Sequence, residues 1–139
     1  MTICAHAAAG GQHPCCAIGG PGELDESRSS TWYAELFGLQ SVAQGKDDEV
    51  SFIVLAHPPS GWLLGVRQYF KHPKDNFNEF RTGLDHLAFG VATRAELEAW
   101  VAELASRAIA FSPITDTPVG SVMIFRDPDG IQLELWLPA

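Results

Sequence analysis

The sequence predicts an α+β fold in which a β-α-β-β-β unit is used twice, and three observations carry that reading. A helix followed by three strands recurs in the same order in both halves of the 139 residues, preceded by a clear strand in the second. Trp32-Tyr33-Ala34-Glu35-Leu36 matches Trp100-Val101-Ala102-Glu103-Leu104 at an offset of 68. The turn-forming PPSG at 58–61 matches DPDG at 127–130 at an offset of 69, so two separate landmarks repeat at nearly one spacing.

In chain order, residues 1–22 hold five Gly and two Pro without sustained periodicity, which predicts a flexible or irregular N-terminal segment. A helix starts near Ser29 or Ser30 as N-cap, carries Trp32, Leu36 and Tyr33 at helical spacing, and stops at Gly38. Strands are expected at 39–45, 50–56 and 62–69, separated by KDDE and PPSG. The polar and aromatic stretch 70–83 reads as a long connection. A strand at 85–92 opens the second half. Thr93 and Glu96 then form a capping box, and Leu97, Trp100, Val101 and Leu104 mark the buried stripe of a second helix. Strands follow at 109–112, 119–126 and 131–137, the last two joined by DPDG. The expected organisation is an N-terminal segment over 1–22 and one domain over 23–139, with module 1 at 23–70, a linker at 71–83 and module 2 at 84–139.

Composition narrows the partners. Nine Lys plus Arg against 17 Asp plus Glu give a formal charge of -8, which opposes binding to a phosphate backbone, so no nucleic-acid partner is expected. No basic amphipathic helix points to a membrane surface, and no apolar run approaches the roughly 20 residues that cross a bilayer. Cys4, Cys15 and Cys16 all precede residue 17, so disulfides do not staple the core. The first 22 residues lack Lys and Arg, hence a positive signal-peptide region, and the expected location is cytoplasmic. His6, His13, Cys15 and Cys16 follow no familiar zinc spacing.

The chemistry is read from the two faces of the strands. In DHLAFGVA, Leu87, Phe89 and Val91 share one face, and His86, Ala88 and Gly90 share the other. In IQLELWL, Ile131, Leu133, Leu135 and Leu137 are expected under a helix, with Gln132, Glu134 and Trp136 opposite. Both strands thus carry a polar functional group on the face turned from the helix. An imidazole and a carboxylate brought together there suit a divalent ion such as Fe, Mn, Ni or Zn, or act as acid and base on a substrate. Arg67 and Tyr69 offer a greeting to an anionic or aromatic ligand, and Met123, Phe125 and Trp136 offer an apolar pocket. His57 and His72 sit beside prolines, where solvated histidines are ordinary.

GLDHLAFGV at 83–91, AELEAWVAELASRA and FRDPDGIQLELW closely resemble the vicinal oxygen chelate superfamily of glyoxalase I, bleomycin-resistance proteins, extradiol dioxygenases and methylmalonyl-CoA epimerase. SSTWYAELFGL at 29–39 is similar to that family's first-helix motif, so the resemblance spans about 29–137. It implies two βαβββ modules whose mixed sheets curl into one cup. A metal would be held by a His on each module's first strand and a Glu on the last, which maps onto His86 and Glu134 in the second module.

The first module departs from the pattern. Offsets of 68 and 69 put Ile18 in the His position and Gly65 or Val66 in the Glu position, so His13 and Gln68 become the substitutes, Gln68 only after a register shift. CAIGGPG predicts an irregular first strand. Two functions stay open. One is a metal-dependent lyase, isomerase or dioxygenase with ligands His86, Glu134 and His13, and with Glu134 or Gln68 moving a proton. The other is a metal-free binding protein that sequesters a flat or aromatic small molecule, as bleomycin-resistance proteins do. The resemblance also implies a homodimer.

Overall fold

A computed structural model describes residues 15–21, 26–71 and 77–139. The chain folds as two compact units, one ending at Phe77 and one running Asn78–Ala139. Each repeats the order strand, helix, three strands, with helices and mixed sheets as expected. The first unit holds β1 (Cys15–Pro21), α1 (Glu26–Phe37), β2 (Gln40–Lys46), β3 (Val50–Ala56) and β4 (Leu63–Tyr69). The second holds β5 (Leu87–Gly90), α2 (Arg94–Ser106), β6 (Thr115–Thr117), β7 (Gly120–Arg126) and β8 (Gln132–Pro138). Sheet order is β1-β4-β3-β2 in one and β5-β8-β7-β6 in the other. In each, the first strand runs parallel to the last while the remaining pairs are antiparallel. Among the described residues no helix is long and apolar enough to cross a membrane.

In the second unit, α2 lies against β8. Its stripe Leu97, Trp100 and Leu104 is buried, as are Met123, Phe125, Leu133 and Leu135 of the sheet. Thr93 caps the helix by accepting from the Glu96 N–H at 3.1 Å, and the Glu96 carboxylate accepts from the Ala92 N–H at 2.9 Å, one residue outside the position a capping box uses. In the first unit, α1 packs on β3 and β4 and buries Tyr33, Leu36 and Phe37. Gly38, at φ 67°, takes the left-handed conformation that ends the helix.

Both sheets close their last hairpin in the same way. His57 and Asp127 are buried, and their N–H groups donate to the carbonyls of Trp62 and Ile131. Gly61 and Gly130 take the positive φ that lets their N–H groups bond back to His57 and Asp127. The side chains differ. Asp127 accepts from the N–H groups of Asp129 and Ile131, whereas His57 Nδ1 meets Ser60 Oγ at 2.7 Å.

Four expectations are corrected. The first strand is not irregular over 15–21, because β1 follows β4 residue for residue, and ladder bonds need backbone groups rather than side chains. Helix α1 starts at Glu26, so Ser29 and Ser30 are buried inside it rather than capping it. The strand at 85–92 shortens to Leu87–Gly90, which leaves His86 just ahead of it. The strand at 109–112 reduces to a bridge between Phe111 and Phe125, since Pro113 has no N–H to carry a ladder onward, and β6 forms at 115–117 instead.

Leu135 is fully buried, so Leu135→Ala is expected to lower unfolding stability by about 2–5 kcal/mol in urea denaturation. Burial holds the His57 pKa below its ordinary 6.5, so the folded protein binds fewer protons there than the unfolded chain. That contribution to stability is present above pH 6.5 and is lost as pH falls through the folded-state value. Urea midpoints are expected to drop between pH 7 and 5, and to drop less in His57→Asn.

Candidate functional site

The second unit gathers the polar groups. Burial of Leu133 and Leu135 turns Glu134 and Trp136 to the other side of β8. Beside Glu134 in the parallel ladder stands Ala88. Two residues before Ala88, His86 reaches across the diagonal, and its Nε2 lies 3.4 Å from Glu134 Oε2. The pair is half-sheltered, with side-chain exposures of 36% for His86 and 17% for Glu134.

On the far side of the ring, His86 Nδ1 meets Asp85 Oδ2 at 2.5 Å. A carboxylate accepts only, so this bond assigns the neutral ring's proton to Nδ1 and leaves a lone pair on Nε2. The Nε2 to Oε2 distance exceeds the roughly 2.7–3.2 Å of a good N–H···O bond. In that tautomer two acceptor atoms face one another. Asp85 is the member of this trio that the strand-face reading overlooked, and the Asp-His adjacency was its only signal.

The residues pass a first test for a divalent ion. Two donors each about 2.1 Å from one tetrahedrally bound ion stand about 3.4 Å apart. A third donor is not supplied nearby, because no group of three His, Cys, Asp or Glu among the described residues is placed to hold a metal. His13, proposed for that place, lies outside the described residues, as do His6 and His72.

The apolar surroundings need a correction. Met123 and Phe125 pair with Leu135 and Leu133, so they share the buried face and belong to the core rather than to a pocket beside Glu134. Val122 and Ile124 stand opposite Trp136 and Glu134 instead. Trp136 keeps its place on the Glu134 face.

The unit ending at Phe77 repeats the scaffold without the donors. Leu64 and Val66 are buried, so Gly65, Arg67 and Tyr69 occupy the alternate face of β4, and the register puts Ala17 beside Gly65. Gln68 alternates in phase with Leu64 and Val66 and pairs with buried Ser51. The register shift that a catalytic Gln68 requires is absent. Arg67 and Tyr69 do share one face, and the Arg67 guanidinium carbon lies 6.0 Å from the centre of the Phe52 ring.

The family profile described as the Glyoxalase/Bleomycin resistance protein/Dioxygenase superfamily matches residues 25–135. The chain belongs to this superfamily. Its fold is similar to a glyoxylase/bleomycin resistance protein/dioxygenase domain from Frankia sp. EAN1pec, at 31% identity over 96% of this chain and 94% of that one, with a TM-score of 0.78. It is also similar to TnmS3, an antibiotic binding protein from Streptomyces sp. CB03234, at 20% identity over 96% and 100% of the two chains, TM-score 0.67. A lactoylglutathione lyase from Agrobacterium tumefaciens matches at 17% identity over 94% and 96%, TM-score 0.64. No curated protein matches the sequence.

For this glyoxalase-superfamily chain the Asp85 contact makes a direct expectation. Nitrogen-15 spectra of the neutral His86 ring should show the proton on Nδ1, and Asp85→Ala should shift the population toward the Nε2-protonated form.

Proposed function

We propose that the protein is a small metal-dependent enzyme of the glyoxalase/dioxygenase type, acting on an oxygen-bearing organic substrate as a lyase, isomerase or dioxygenase. The observation that carries this reading is the 3.4 Å approach of His86 Nε2 to Glu134 Oε2, two lone-pair donors on one sheet face at a spacing suited to a shared ion. His86 and Glu134 would hold a divalent ion such as Fe, Mn, Ni or Zn, and that ion would supply Lewis acidity to neighbouring substrate oxygens. Asp85 keeps the imidazole proton on the far nitrogen and the ring in place. Glu134 combines partial shelter with a second oxygen that meets no partner among the described residues, a position from which a carboxylate can take up or return a substrate proton. Trp136, Val122 and Ile124 border that carboxylate with apolar surface and limit water around it.

A second reading, a metal-free protein that sequesters a small molecule, draws on the two-donor count among the described residues and on the likeness to an antibiotic binding protein. Elemental analysis of purified protein decides between them. Near-stoichiometric divalent metal, lost in His86→Ala and Glu134→Ala, supports the enzyme. Metal-free protein that retains ligand binding after both substitutions overturns it. In the metal-binding case Asp85→Ala is expected to weaken affinity by about 10–100-fold, read by competition with a chelator.

A further inference from the structure

The alternate face of the first sheet carries a row of residues that the His86 site does not use. Gly45, Phe52 and Arg67 are cross-strand neighbours on β2, β3 and β4, and the ladder continues to Gly19 on β1. A Cβ at residue 45 would stand 2.7 Å from two carbons of the Phe52 ring. The ring therefore lies across β2 only because that position is glycine. Beside it is an open depression of about 380 Å³ lined by Gln44, Gly45, Lys46, Phe52 and Ile53.

The charge of this row runs against the rest of the chain. Acidic residues outnumber basic ones 17 to nine, and Arg94, Arg107 and Arg126 each hold a carboxylate. Among the described residues Arg67 and Lys46 hold none, and each is set against an aromatic ring instead, Arg67 over Phe52 at 6.0 Å and Lys46 over Phe70 at 5.1 Å. A guanidinium holds its edge N–H donors in one plane, where they match the two oxygens of a carboxylate. A monatomic anion fills only part of that flat fork, and a neutral ring leaves its charge unpaired.

We propose that this row is a binding site for a small aromatic carboxylate, its ring in the depression beside Phe52 and its carboxylate on the edge of Arg67. Lys46 borders the same depression from the next position of β2, paired with Ser51. Neither contact requires a metal ion.

The test uses the full chain treated with a chelator, titrated with benzoate, its neutral analogue benzamide, and acetate, and followed by NMR chemical shifts of the β2, β3 and β4 amides. Benzoate is expected to bind about tenfold or more tighter than either control, as a bidentate charged pair adds to ring contact. Arg67→Ala and Arg67→Gln should each erase the advantage over benzamide, and Phe52→Leu the advantage over acetate. His86→Ala should leave all three titrations unchanged, which separates this site from the metal site. Benzoate binding that survives both Arg67 substitutions, that vanishes in His86→Ala, that equals benzamide binding, or that never saturates would overturn the proposal. Arg67 is exposed, so an unchanged unfolding midpoint in its variants is the expected control, and Arg67→Lys should restore part of the benzoate preference.

Discussion

Strand β8 can bury Leu133 and Leu135 only by turning Glu134 and Trp136 to the opposite side of the sheet, because side chains alternate with a period of two. That constraint organises the second unit. The buried pair meets Met123 and Phe125 from β7 and packs under α2, and this packing holds the strand in register. Parallel pairing with β5 then brings Ala88 beside Glu134, and the imidazole two residues earlier comes within 3.4 Å of the carboxylate. A one-residue slip would send the carboxylate into the core and a leucine into the site, so the hydrophobic pattern that makes the fold also aims the chemistry.

Repetition of one scaffold does not repeat its chemistry. Both units close their last hairpin with a buried residue and a positive-φ glycine, and both run their first strand parallel to their last. On the face where the second sheet has Glu134, the first has Gly65 and Arg67. Glycine removes a carboxylate, whereas arginine reverses the local charge. On that face one half thus carries a carboxylate beside an imidazole, and the other carries a guanidinium.

Much of this was legible in the residues, and the failures have identifiable causes. Periodicity located both helices and most strands because burial of one face dominates their energetics. It placed His86 with Ala88 and Glu134 with Trp136 on strand faces that the ladder brings together. Met123 and Phe125 were misplaced because apolar residues suit a core and a pocket equally, and only pairing with Leu135 and Leu133 separates the two. Gln68 was misjudged for a related reason, since its phase depends on which of its strand's faces the helix covers. The strand at 109–112 failed at Pro113, whose missing N–H outweighs the β-propensity of Ile109 and Phe111.

The sequence by itself determined the duplicated order of elements, the turns at PPSG and DPDG, and the split of β8 into an oily face and a polar one. These are local properties, set by residue spacing and by the conformations that glycine and proline allow. Only the tertiary structure decided that the His86 ring lies between Asp85 and Glu134, and that Phe52 rests across Gly45 beneath Arg67. Those are relations between strands. They follow from ladder register and from how far each side chain reaches, which no single strand encodes.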